Sequence, residues 1–226
     1  MTTPEISIVI PAFNEAENLA ELLGVLNAVA SGLKPGSLES DGGTAASATS
    51  EYLPASALDQ LIVGLCSQAG AIVSTVPISG TLIYENQTWG TRAAPELRCI
   101  DGLTDPGDSV TLNGNMNGSG ILIVKNADLI VTGSLHWEGL IIVTGTEVSF
   151  KSTGAGTKEV FGGLIVNETG SPAGKALLDI QGSARLLFSR QSMVQAGQLI
   201  TPAVLSSAYE HLPTTIRQDY WRTVTP

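Results

Sequence analysis

Residues Gly120–Gly145 read GILIVKNADLIVTGSLHWEGLIIVTG, and this stretch decides the fold. Its apolar runs are too short for helices, and glycine, asparagine, aspartate and serine separate them. Continuous apolar runs of this kind are typical of parallel strands that are buried on both sides, whereas half-exposed strands alternate strictly. The stretch therefore predicts short parallel strands joined by tight turns.

The same pattern recurs along the chain at a period of about twenty residues. GILIV begins at Gly120, GLIIV at Gly139 and GLIV at Gly163, and a second strand type (DLIVTG, EVSFKS, LLDIQG) alternates with the first. Two strand types at such a period predict a mainly β fold, a right-handed β-solenoid-like domain in which inward Leu, Ile and Val stack between coils. A β-sandwich also consists of short strands and turns, and is the alternative.

The chain before this β region follows other patterns. Ile6–Ile10 is an apolar run that predicts a buried strand. Asn14 and Glu17 form a capping box at the start of a helix over about 15–30, whose leucines recur at helical spacing. We predict a second helix within 52–71, packed on the end of the β region.

These patterns divide the chain into three parts. Residues 37–51 are small and polar without periodicity, which predicts a linker. The linker separates a strand–helix segment at 1–36 from a β-solenoid-like domain at 52–226 that carries one or two short helices.

The charge balance excludes two classes of partner. The chain carries 11 basic and 21 acidic residues, a formal net charge of −10. Nucleic-acid binding requires clustered Lys and Arg, and anionic membrane surfaces attract basic segments, so we expect neither partner. No apolar run reaches the roughly 18 residues that a membrane-spanning helix needs, and no secretory signal is visible.

Two cysteines, Cys66 and Cys99, limit the chemistry further. They exclude a disulfide-dense scaffold and provide no CxxC or Cys/His metal spacing. One bridge between them and two buried free thiols both fit the sequence, so the pairing stays open.

The strand at the start of the chain, its proline turn and the sequence FNEAEN resemble the start of family 2 glycosyltransferases. The resemblance implies that Pro11, Ala12, Phe13, Asn14 and Glu15 line a pocket for the base and ribose of a nucleotide sugar. It covers only about 25 residues, and no Asp-x-Asp that would hold a divalent cation follows. This interpretation makes the chain a truncated or inactive glycosyltransferase.

A longer resemblance covers about residues 53–221. The sequences TWGTRAAPELRCIDG, VTLNGNMNGSGILIVKNADLIVTG and LLDIQGSARLLFSRQSM resemble the C-terminal β region of PilX-type proteins of type IV pilus assembly. The resemblance implies a non-enzymatic structural or adhesive protein without a cofactor, which contacts pilus or other envelope proteins. It also implies a cell-envelope or extracellular location. The family's N-terminal membrane helix is not recognisable here, which leaves a cytoplasmic location open.

Polar side chains suggest few other sites. Asp101, Asp105 and Asp108 lie near several asparagines and would supply oxygen ligands to calcium, but turn chemistry explains the same residues and is the interpretation we favour. The chain has only two histidines, His136 and His211, and they are far apart in sequence. A catalytic triad or a histidine metal site is therefore not favoured. We therefore predict no catalytic residue and no metal.

Overall fold

The computed structural model of the chain describes residues 6–9, 55–76, 80–102, 107–169 and 177–210. The strands are β1 (Ile6–Val9), β2 (Ile72–Thr75), β3 (Thr81–Glu85), β4 (Thr88–Trp89), β5 (Glu96–Asp101), β6 (Ser109–Asn113), β7 (Asn115–Lys125), β8 (Asp128–Val131), β9 (Ser134–Gly145), β10 (Ser149–Ser152), β11 (Lys158–Glu168), β12 (Leu177–Ile180) and β13 (Ala184–Leu187). The helices are α1 (Ala55–Ser67), α2 (Arg190–Gly197) and α3 (Pro202–Glu210).

The strands form two sheets, and successive coils of the chain contribute neighbouring, parallel strands to each sheet. One sheet runs β1-β11-β9-β7-β5-β2, with β13 beside β11 and β4 beside β7, and the other runs β12-β10-β8-β6-β3. All described pairings between coils are parallel, and β1 alone joins antiparallel. The predicted β-solenoid is confirmed, with about 4 turns, and the sandwich alternative is wrong. Connections of this parallel type are right-handed in nearly all proteins.

A column of glycines bends the long strands into two faces. Gly120, Gly139 and Gly162 stand in register on β7, β9 and β11, with φ of 126°, 134° and 147°. The segments before this column pair with β4 and β13, and the segments after it pair with β5 and β1. We call these segments the first face and the second face, and the five-stranded sheet the third face.

The coils approach so closely at this column that only glycine fits. A Cβ on Gly139 would overlap the carbonyl oxygen of Gly120, and one on Gly162 would overlap that of Gly139. The positive φ adds a second reason, since side chains other than glycine are strained there. The glycine column therefore sets the register of each coil on the next.

Alternate residues of each face enter a closed apolar interior. Trp137 is almost fully buried on the first face, where Gly118 of the neighbouring coil leaves room for its ring. The second and third faces contribute a larger set to the same cluster: Leu122, Val124, Ile141, Val143, Leu164, Val166, Val110, Leu112, Leu129, Val131 and Phe150.

The outer side of the second face is buried as well, because the helices cover it. Its outward residues share one cluster with the helix residues: Leu97, Cys99, Ile121, Ile123, Leu140, Ile142, Ile165, Leu58, Leu61, Ile62, Leu65, Met193, Ala196 and Val204. A disulfide between Cys66 of α1 and Cys99 of β5, with Cα atoms 5.7 Å apart, joins the two layers. GILIV and GLIIV are apolar throughout because both sides of this face are buried.

The structure corrects the repeat register. The sequence comparison aligned Gly163 with Gly139, but Gly162 is the residue that pairs with Gly139, and Gly163 pairs with Leu140. A shift of one residue would send every side chain of the strand to the opposite side. The observed register keeps Leu164 and Val166 inside the solenoid.

Of the strand and helices that the sequence predicts outside the repeats, some are present and others lie outside the described residues. The first strand is present at Ile6–Val9, and it pairs antiparallel with β11. The helix expected over 15–30 and the linker lie outside the described residues. The helix expected within 52–71 is present at Ala55–Ser67, but it packs along the second face rather than on an end. Helix α2 was not predicted, although Ser189 caps it by accepting a hydrogen bond from the Ser192 amide (3.3 Å).

We expect Gly162→Ala to destabilise the protein far more than Gly163→Ala. At Gly162 the new Cβ would overlap backbone and the φ is positive, which costs about 2–4 kcal/mol of unfolding free energy. At Gly163 the nearest atom to a new Cβ is Cδ1 of Leu140, at 3.3 Å, which can yield. Urea unfolding of both variants measures the difference, and equal losses would contradict the proposed role of the glycine column.

Candidate functional site

Outward side chains of the first face form a continuous set of charged contacts, which we call the charged ladder. His136 Nε2 lies 3.0 Å from Glu138 Oε1, and His136 Nδ1 lies 3.7 Å from Glu159 Oε2. Arg185 Nη1 approaches Glu159 Oε1 at 3.8 Å. Arg92 Nε donates a hydrogen bond to Glu138 Oε2. The ladder consists of these five residues.

The parallel register of the coils creates the ladder. His136 of β9 stands beside Glu159 of β11, which stands beside Arg185 of β13. Glu138 lies two residues after His136 and so points to the same side. Arg92 comes from the loop after β4, and its carbonyl oxygen accepts a hydrogen bond from Gln195 Nε2 (3.2 Å) of α2.

Glu138 is the most buried carboxylate of the ladder, with 9% of its side chain exposed. The hydrogen bond from Arg92 holds its pKa below the ordinary value of 4.5, burial opposes this shift, and the contact with His136 supports it. The same hydrogen bond raises the pKa of Arg92. Glu138 is therefore ionised at neutral pH and suited to accepting hydrogen bonds rather than to donating a proton.

The ladder pairs its charges internally. Positive groups stand at its two ends, at Arg92 and Arg185, and the carboxylates lie between them around His136. The contacts connect the loop after β4, two coils and β13. The hydrogen bond from Arg92 to the buried Glu138 joins the loop after β4 to β9, whereas the contacts of Glu159, at 3.7 and 3.8 Å, are longer than hydrogen bonds and contribute little.

Two of the three calcium candidates, Asp101 and Asp108, lie within the described residues. Asp101 is occupied by protein partners, since Oδ2 accepts from Lys125 Nζ (2.7 Å) and Oδ1 from Asn126 Nδ2 (2.9 Å). Asp108 is buried, its carbonyl oxygen accepts from the Asp128 amide (2.8 Å), and Asp105 lies outside the described residues. No group of three His, Cys, Asp or Glu suited to a metal occurs in the part of the chain that is described.

The predicted nucleotide pocket, Pro11, Ala12, Phe13, Asn14 and Glu15, lies outside the described residues. The strand before it, β1, is an antiparallel edge strand on β11. In an open doubly wound fold the nucleotide instead lies at the carboxyl ends of central parallel strands.

Sequence reasoning named only His136 among the ladder residues. A usable signal was present, because His136 and Glu159 have the same spacing as Gly139 and Gly162. Once the glycine column fixes the register of β11 on β9, the sequence predicts that His136 and Glu159 are neighbours.

The fold and the ladder define this chain as a β-solenoid protein with a helical layer on one face. Comparison with protein-family models, curated proteins and solved structures finds no match. Among the described residues no helix is long and apolar enough to cross a membrane.

We expect Glu138→Gln to remove stability that depends on pH. The pKa of Glu138 is lower in the folded than in the unfolded chain, so its contribution is present above pH 4.5 and disappears as the pH falls through the folded value. At neutral pH the variant should lose on the order of 1 kcal/mol of unfolding free energy.

Chemical unfolding from pH 7 down to pH 3 measures this difference. Glu147→Gln, at an exposed turn residue, is the control and should differ little from the wild type at any pH. A Glu138→Gln deficit that stays constant across the range would contradict the electrostatic account.

Proposed function

We propose that this chain is a non-enzymatic structural or adhesive protein of the bacterial envelope, related to type IV pilus assembly. It acts through protein contacts on its β-solenoid. The observation that carries the proposal is the disulfide between the helical layer and the solenoid.

The disulfide supports a location outside the reducing cytosol. Disulfides form and persist in the periplasm, on cell surfaces and in secreted proteins, and are rare in the cytosol. Cys99 is 2% exposed and Cys66 is half-buried, and the bond closes a sequence separation of 33 residues. A buried bridge between two layers has a structural character, whereas exposed bridges are the more easily exchanged ones.

The charged ladder supports a structural role over a catalytic one. A general acid at neutral pH needs a raised carboxylate pKa, whereas that of Glu138 is lowered. The ladder, the glycine column and the disulfide all fasten one part of the solenoid to another. A rigid solenoid of this kind presents extended surfaces to protein partners.

Location is tested by fractionating the bacterium that encodes the chain and detecting the protein with an antibody. We expect it in the envelope or in the fraction sheared from the cell surface. Its two cysteines should react with an alkylating mass tag only after reduction. A cytosolic protein with reactive cysteines would contradict the proposal.

The glycosyltransferase alternative has its own test. Calorimetry with a nucleotide sugar and Mn²⁺ should show no binding to the purified chain. Binding that Asn14→Ala and Glu15→Ala abolish would establish the alternative and overturn the non-enzymatic proposal.

We expect loss of the disulfide to destabilise the protein strongly. For a loop of 33 residues the chain-entropy account gives about 3–4 kcal/mol, so the double variant Cys66→Ser, Cys99→Ser should melt well below the oxidised wild type. Scanning calorimetry with and without dithiothreitol measures the effect. The reductant should lower the Tm of the wild type and leave that of the double variant unchanged; an unchanged wild-type Tm would contradict a stabilising bridge.

A further inference from the structure

The end of the solenoid that β2, β3 and β4 form exposes apolar side chains, and we call it the leading end. Ile72 and Val73 on β2 are 40% and 58% exposed, and Ile83 on β3 is 56% exposed. Among the residues of these three strands only Glu85 is charged. The chain has a formal net charge of −10, which repels a second copy, so a nearly uncharged end is the surface at which two copies repel each other least.

Strand β3 has a free backbone edge among the described residues, since it pairs only with β6. In a parallel pair, alternate residues of a strand direct both backbone groups to the neighbouring strand. The carbonyl oxygen of Gly80 accepts a hydrogen bond from the Ser109 amide (2.7 Å), so the even-numbered residues face β6. Thr81, Ile83 and Glu85 therefore direct their N–H and C=O groups away from the solenoid. Such an edge is a template for a further strand.

The sequence of β3 is complementary to itself in an antiparallel pair that is centred on Ile83. Ile83 then lies opposite Ile83 of the second copy, and Thr81 lies opposite Glu85. These are the residues with outward backbone groups, so each opposite pair exchanges two hydrogen bonds. The isoleucines form an apolar cross-strand pair, the Thr81 hydroxyl faces a carboxylate, and no like charges meet. Gly80 and Asn86, with φ of 87° and 51°, end the strand and lie opposite each other in the same register.

The inward side chains of β3 complement each other in this register as well. Leu82 and Tyr84 are half-buried and pack against the interior apolar cluster. In the antiparallel pair Leu82 lies opposite Tyr84 of the second copy, so each copy covers apolar surface that the other leaves open. The ring of Tyr84 already packs edge-on against Trp89, with centroids 4.7 Å apart, which holds it at the leading end.

The other end of the solenoid, the trailing end, offers no equivalent edge. Strand β1 already pairs with Leu164–Asn167 of β11. The outward backbone groups of β12 belong to Leu178 and Ile180, because its odd-numbered residues face β10. A register that pairs Leu178 with Ile180 of a second copy places the two Asp179 carboxylates opposite each other, which destabilises a sheet.

We propose that two copies of the chain form a dimer through their leading ends, in which β3 of one copy pairs antiparallel with β3 of the other. A two-fold axis passes between the two Ile83 residues, perpendicular to the third face, so the third faces of both copies form one continuous sheet. The contact is isologous and closes after two copies, so nothing larger than a dimer forms through it. A single strand pair is a small interface, so the dimer depends on concentration.

This inference rests on the proposed function only in taking protein contacts on the solenoid as the chain's mode of action. The dimer is measured on purified protein and is independent of location. A monomeric chain therefore leaves the envelope proposal intact, and a cytosolic location leaves the dimer proposal intact.

Sedimentation velocity of the full chain over a wide range of concentrations tests the proposal. We expect the wild type to pass from monomer to dimer as its concentration rises. Ile83→Pro removes an outward amide at the centre of the contact and spares the pairing of β3 with β6, so it should weaken association by roughly tenfold or more. Ile180→Pro removes an outward amide at the trailing end; it is the matched control and should associate like the wild type.

A charge exchange tests the register without altering the backbone. Thr81→Glu places a second carboxylate opposite Glu85 of the other copy, twice in each dimer, and should weaken association by roughly fivefold or more. The double variant Thr81→Glu, Glu85→Lys places opposite charges there and should restore it. Residues 81 and 85 lie about 13 Å apart within one copy, so the restoration requires contact between copies. Melting curves establish that every variant is folded.

Four outcomes would overturn the proposal. The first is a wild type that stays monomeric at all concentrations, and the second is a series of oligomers beyond the dimer. The third is an Ile180→Pro variant that associates as weakly as Ile83→Pro, which would place the contact elsewhere. The fourth is a double charge variant that associates no better than Thr81→Glu alone, which would exclude the antiparallel register centred on Ile83.

Discussion

The structure depends on the close backbone approach between coils at the glycine column. Where a Cβ on Gly139 or Gly162 would overlap the carbonyl oxygen of the coil beside it, only glycine permits the strands to turn and stay in contact. This contact fixes the register, and the register decides which side chains enter the interior. The apolar core and the charged ladder both follow from it.

A second constraint acts on the second face, which is buried on both sides. Its inward residues fill the solenoid and its outward residues pack under the helices, with Cys66 and Cys99 bonded between the layers. A β-solenoid that buries a face in this way resists opening from that side. The helical layer therefore adds to the rigidity of the coils.

The proposed structural role follows from the contacts between neighbouring coils. Along the first face, the packing of one coil on the next places His136, Glu159 and Arg185 beside one another.

The sequence predicted the solenoid because glycine-punctuated apolar runs at a fixed period leave few other folds. It also predicted α1, whose Leu58, Leu61, Ile62 and Leu65 share one helical face. It misplaced the register by one residue at Gly162 and Gly163, since neighbouring glycines are equivalent as letters and differ only in what lies beside them.

The sequence by itself therefore determined the class of fold and the strand segments, which depend on local pattern and turn chemistry. Tertiary structure alone decided the pairing of Cys66 with Cys99, the packing of α1 along a face, and the assembly of the charged ladder. Each of these depends on residues that are distant in the chain and become neighbours only when the coils stack, because stacking converts a period in sequence into contact in space.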